Sequence, residues 1–298
     1  MATVTGEQPI PAAAVRPIPW IAMGWFAILI VVVYFPVLNN LVHNWVDDED
    51  MGHAFFVPLV AGYMVWQRRD RLMQMEWKPS RWGILLLVWG VAQSYIGTLG
   101  VELFLQRTAV LITFVGVLLT FGGFGVLREL AFPLLLLPFM IPIPAIVYNR
   151  ITFPLQIFAS IVAENILNFI NIPTLREGNV LQLPSQPLNV AEACSGIRSL
   201  LSLTFLSLVY SYFFDRRVSM RVVLFFATIP LAILANALRV TMTGILSEVN
   251  PDLAKGFSHE LEGWIIFLVA LGMLIAAHTI LSKILDRGKP PAVPEPAA

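Results

Sequence analysis

The chain's single cysteine, Cys194, sits in the stretch Val190-Ala191-Glu192-Ala193-Cys194-Ser195-Gly196-Ile197-Arg198-Ser199. A polar loop runs into a long apolar segment there, so the thiol is expected at the start of a helix. The unpaired N–H groups and partial positive charge of a helix N-terminus favour the thiolate, the reactive form of cysteine. Ser195-Gly196 at such a junction is not a core environment, and Gly196 leaves room for a substrate backbone to come close. For the sulfur alone two readings stand, a nucleophile and a small apolar filler. An internal disulfide is excluded by the count.

Arg239 follows Asn236-Ala237-Leu238 inside an apolar run. A guanidinium at mid-membrane costs about 2.5–3.5 kcal/mol on insertion scales, so it either faces a polar cavity or snorkels to headgroups. Asn236, one turn earlier, would share its face and favours the cavity. His259 lies in Ser258-His259-Glu260-Leu261-Glu262-Gly263. It reads as a general base for the thiol and acid for a leaving amine, or as an interfacial histidine without a role. Arg198 suits a substrate carboxylate or an oxyanion, and equally a buried structural position. Glu164 could orient a base or face water, and His53 is expected on the same side of the membrane as Cys194. The run Asp47-Asp48-Glu49-Asp50 lacks a calcium-loop spacing and reads as a solvated acidic loop. No metal-ligand cluster, phosphate-binding glycine loop or nucleotide fingerprint is found.

The elements that must position these groups are membrane helices. Of the 298 residues, 57% are hydrophobic and 13% charged, against about 25% charged in soluble domains. Mean hydropathy is +0.76. Several apolar runs approach the roughly 20 residues needed to span a bilayer, so an all-α polytopic membrane protein is expected. The formal net charge is +0, with no basic footprint for nucleic acid. The first apolar run reads as a retained anchor, since no cleavage pattern follows it.

Spans are expected at about 20–42, 54–67, 82–101, 108–124, 130–148, 197–214, 222–242 and 264–282. The basic loops Arg68-Arg69-Asp70-Arg71 and Asp215-Arg216-Arg217 are cytoplasmic by the positive-inside rule. Cys194, Arg239 and His259 then converge on the outer side. Parity requires that 151–172 not cross. Its residues Gln156, Ser160, Glu164, Asn168 and Asn171 recur at helical spacing, which suits an interfacial or re-entrant amphipathic helix. About eight spans, that extra helix and a short extracytoplasmic loop result, with both termini cytoplasmic; nine spans with a weak charge bias is the alternative. Val180, Leu181 and Leu183 in that loop alternate as a short extended stretch. Residues 1–19 and 286–298 read as disordered tails around a single domain over 20–285.

Glu192-Ala193-Cys194-Ser195-Gly196-Ile197-Arg198-Ser199, then Ala235-Asn236-Ala237-Leu238-Arg239-Val240, then His259 with Gly263 four residues on, resembles the exosortase/archaeosortase family. Three linked motifs in order, over all but the two tails, make the resemblance specific. It implies a transpeptidase-like enzyme of the bacterial inner membrane. The enzyme would process exported proteins bearing a C-terminal sorting tail of the PEP-CTERM kind, and family members are linked to exopolysaccharide or biofilm production. The resemblance implies Cys194 as nucleophile, Arg239 as transition-state stabiliser and His259 as acid/base, with no organic cofactor or metal. The first outer loop departs from the family's small-residue–His–Gly pattern, reading Gly52-His53-Ala54. Two rival functions share some of these features: a polysaccharide-export transporter component, and a membrane acyltransferase using the same cysteine.

Overall fold

The computed structural model describes residues 20–190, 196–215, 217–250 and 256–286. The chain folds into two compact units. The first takes the N-terminal region to Asn44 and Phe55–Ile141; the second takes Trp45–Ala54 and everything from Pro142 on.

In the first unit, helix α1 (Trp20–Val33) and helix α2 (Phe35–Asp47) meet at a 71° bend. Pro36 has no N–H to donate back and its ring crowds the preceding turn, so the helix breaks there. Tyr34, buried at the bend, is bonded through its hydroxyl to Thr113 Oγ1 at 2.8 Å. Helix α3 (Phe56–Gln67) and the one-and-a-half-turn α4 (Arg69–Gln74) follow. Arg68 between them donates to the Glu129 carbonyl and, at 3.1 Å, to its carboxylate, which Arg71 also reaches at 3.3 Å.

Helices α5 (Trp82–Leu99) and α6 (Leu103–Glu129) form an antiparallel hairpin. Its seam is a glycine every seventh residue. Gly83 faces Thr120, Gly90 faces Thr113 and Gly97 faces Gln106, each glycine buried. A Cβ at Gly90 would come within 2.4 Å of Thr113 Oγ1, and one at Gly83 within 2.3 Å of the Thr120 amide nitrogen. Small residues let two backbones close in where lipid supplies no hydrophobic drive. Gln93 Nε2 donates across the seam to Thr108 Oγ1 at 2.7 Å. Within α6, Gly123 takes φ +72°, and a Cβ there would lie 1.9 Å from the Lys78 carbonyl oxygen. Only glycine fits that kink. Beyond α6 come helix α7 (Ala131–Leu136) and a 3-10 turn, Leu137–Met140.

The second unit opens with a 3-10 turn, Glu49–Met51, and continues with helix α8 (Ala145–Phe169). Three short strands follow: β1 (Leu175–Glu177), β2 (Val180–Gln182) and β3 (Pro187–Asn189), an antiparallel sheet in sequential order. Leu181 pairs with Arg176 on one side and Leu188 on the other. Three helices complete the unit: α9 (Gly196–Phe214), α10 (Val218–Val249) and α11 (Gly256–Asp286). The extended stretch expected around Val180 and Leu181 is β2.

Four of the five residues of the polar stripe lie in α8 and meet the first hairpin in register, while Asn171 falls just beyond the helix. Gln156 Oε1 accepts from Asn179 Nδ2 at 3.4 Å, and Ser160 Oγ donates to the Gly178 carbonyl at 3.3 Å. Glu164 accepts from the Arg176 amide at 3.1 Å and pairs with its guanidinium at 3.3 Å. Asn168 Oδ1 accepts from the Thr174 amide at 2.9 Å, while its Nδ2 donates to the Thr174 carbonyl at 3.0 Å. The stripe docks a sheet. α8 is itself long and apolar enough to cross a membrane.

Among the described residues, five helices are long and apolar enough to cross, or six if the bent α1–α2 pair is one span. The expected count of about eight is not confirmed, because two expected spans are short. α3 and the Ala131–Met140 segment fall below span length, whereas α9 runs 19 residues from Gly196 to Phe214. The region 130–148 ends its helix at Leu136, since Pro138, Pro142 and Pro144 each remove a backbone donor.

At the α9–α10 connection, buried Asp215 closes a clasp across the second unit's helices. Its carboxylate accepts from Arg217 Nη2 at 2.8 Å and from the Arg217 amide at 2.8 Å. His278 Nε2 of α11 lies 3.3 Å from the same carboxylate, and His278 Nδ1 is 2.9 Å from the Tyr210 hydroxyl of α9. Arg221 Nη2 of α10 donates to the Asp215 carbonyl at 2.9 Å.

Candidate active site

Arg239 is carried by α10, where it is only 7% exposed. Its position in the bilayer-length helix is thus interior, not snorkelled. Asn236, on the same helix face one turn earlier, is 3% exposed. Neither its Oδ1 nor its Nδ2 has a hydrogen-bond partner among the described residues. Nearby Thr241 and Thr243 donate back to the Ala237 and Arg239 carbonyls at 2.9 and 3.0 Å.

The next helix brings its own part of the site to the guanidinium. A Cβ built at Gly263 of α11 would stand 3.3 Å from Arg239 Nη2 and 3.5 Å from Cζ. Gly263 is therefore the floor on which the guanidinium rests. His259 lies one helical turn ahead on α11, and residues at this spacing share a face. Only its backbone position is described.

Cys194 and Ser195 lie outside the described residues. The chain on either side of them is anchored. Val190, fully buried, donates its amide to the Asn179 carbonyl at 3.0 Å. It packs in one apolar cluster with Leu181, Leu188, Ala159, Ala163 and the α10 residues Ala237 and Val240, which flank Arg239. On the other side α9 begins at Gly196, with Arg198 in its first turn. α9 and α10 run antiparallel through the short 215–217 connection, and Thr204 Oγ1 meets Thr228 Oγ1 at 3.3 Å. From that contact, tracing α9 back to Gly196 and α10 on to Asn236 covers the same axial rise, about 12 Å at 1.5 Å per residue. The N-terminus of α9 is thereby level with Asn236.

Of the remaining expected residues, His53 and Glu164 both belong to this unit. His53 is 8% exposed, with Nδ1 3.3 Å from Ser202 Oγ on α9 and its ring 6.1 Å from that of Phe205. The same loop is pinned by Tyr148, whose hydroxyl donates to Asp50 Oδ2 at 2.7 Å. Glu164 is engaged with Arg176 in holding the sheet. The contact between His278 and Asp215 had only a weak sequence signal, a histidine near the end of the last apolar run and an aspartate in a basic loop.

An all-α polytopic membrane protein with a buried arginine between packed helices is the class these features define. The family model of the transmembrane exosortases matches residues 45–276. The chain belongs to the transmembrane exosortase family. No curated protein and no solved structure matches it.

Proposed function

We propose that this chain is a membrane-embedded cysteine protease or transpeptidase that removes the C-terminal sorting tail of exported proteins. The observation carrying this reading is the seat of Arg239 against Gly263, with His259 one turn ahead on the same helix. Val190, four residues before Cys194, packs beside the residues that flank Arg239, which supports bringing the sulfur to the same place.

The reaction runs as follows. The Cys194 thiolate attacks the scissile carbonyl carbon, forming a C–S bond, and the carbonyl π pair moves onto oxygen. Arg239 faces the resulting oxyanion, and losing one such donor typically costs about 3–4 kcal/mol of transition-state stabilisation. The oxyanion collapses, the C–N bond breaks, and His259 gives a proton to the departing amine. The thioester passes to water or to an acceptor nucleophile, which returns the thiolate. Arg198, in the first turn of α9, and His53, against Ser202 of the same helix, are supporting groups.

The enzyme sits in the bacterial inner membrane with this chemistry on the extracytoplasmic side and both termini inside, a reading supported by the basic loops. Its partners are the bilayer and tail-bearing exported proteins, and its output serves exopolysaccharide-linked surface assembly. Co-expression with a tail-bearing exported reporter tests the reading. Wild type should shift the reporter's mobility and Cys194→Ala should abolish the shift. Mass spectrometry of the trapped thioester should find a peptidyl group. A lipid acyl group there would mean an acyltransferase, and an unaltered reporter with both proteins would end the protease reading.

A further inference from the structure

We infer that Asn236 grips the main chain of the peptide being processed, donating from Nδ2 to a backbone carbonyl and accepting at Oδ1 from a backbone N–H. This rests on the proteolytic reading above. Buried polar groups in native proteins are almost always paired, and an unpaired one demands an explanation. Asn236 is 3% exposed and unpaired at both atoms among the described residues, whereas the nearby threonines of α10 satisfy themselves on their own helix.

The fold gains nothing from this polarity, since a leucine would fill similar space without two unsatisfied groups. Location points to the ligand. Ala232 and Ala235 pack with Leu203 of α9 and Ile266 of α11, while Ala237 and Val240 pack with the sheet. At 3.6 residues per turn Asn236 falls between those two faces of α10 and beside Arg239. A carboxamide carries the same donor–acceptor pair as a peptide unit. An extended backbone satisfies both of its atoms, whereas a carboxylate or phosphate would leave Oδ1 unmatched. Recognition of this kind reads the main chain and ignores the side chains.

Asn236→Leu and Asn236→Ala in the full chain, assayed on tail-bearing reporters, test the assignment. Processing should slow by about 10²–10³-fold, the usual loss for a removed oxyanion-type donor. The melting temperature in detergent should be unchanged or higher for Asn236→Leu, and the loss should be equal for reporters that differ in side chains around the cleavage point. A near-wild-type rate, a lowered melting temperature, or a loss confined to some reporters would overturn it. Cys194→Ala is run alongside. If that variant still processes, the protease reading fails whatever Asn236 does. If it stops while Asn236→Leu keeps its rate, only the role given to Asn236 fails.

Discussion

Side chains in this protein do opposite jobs at the two ends of three helices. Near Gly263 the guanidinium of Arg239 lies against a residue with no side chain, so its position depends on that space. Gly263→Val would put branched carbons where the guanidinium now sits. A displacement of about 1 Å in a positioned group commonly costs on the order of 10²-fold in rate. Reporter processing should fall by that order while the protein's melting temperature holds, and Gly263→Ala should lose less. At the other end, the Arg217 guanidinium holds the Asp215 carboxyl well below the usual carboxylate range. A carboxyl depressed in the folded state adds stability above its unfolded pKa of about 4 and loses it as pH falls through the folded value. Asp215→Asn should therefore melt lower than wild type at pH 7, and the gap should narrow as the pH drops below about 4. Melting curves across that range decide it.

Helix packing was the least legible level. The α5–α6 seam is written as glycines seven apart opposite Thr113, Thr120 and Gln106. In a run of apolar letters those glycines look like ordinary membrane-helix composition, and only the pairing of two helices reveals the register. Removing the space should be felt directly. Gly90→Ala drives a Cβ to 2.4 Å from Thr113 Oγ1 and 3.1 Å from its amide nitrogen. Overpacking of this kind costs about 1–3 kcal/mol. Gly62 of α3 has nothing within 4 Å, so Gly62→Ala should keep or gain about 1 kcal/mol from helix propensity. Thermal unfolding of the two variants in detergent should move them in opposite directions. The α8 stripe was legible as a period, but its partners were not. Gln156, Ser160, Glu164 and Asn168 recur as an interfacial helix would have them, but their partners lie later in the chain, at 174–179. Short strands carry too little signal to be recognised as those partners, although β2 itself could be read from Val180 and Leu181.

For the molecule as a whole, the membrane class followed from composition, and the family from three motifs that the helices now separate or join. Span number did not follow, because charge bias and apolar length disagree wherever prolines shorten a helix, as between Leu136 and Ala145. The position of Trp45–Ala54 was also beyond the sequence. Nothing local says that a loop between two helices of one unit belongs to the other, where Asp50 and His53 hold Tyr148 and Ser202. The chain thus passes from the first unit to the second, back and again to the second. A cut at residue 141 cannot release the C-terminal piece intact, since a strip of it stays behind on the N-terminal fragment. Residues 142–298 produced alone should be inactive on the reporter, and supplying 1–141 in trans should restore activity by complementation. The split should thus yield a two-part switch whose halves work only when they meet in one membrane.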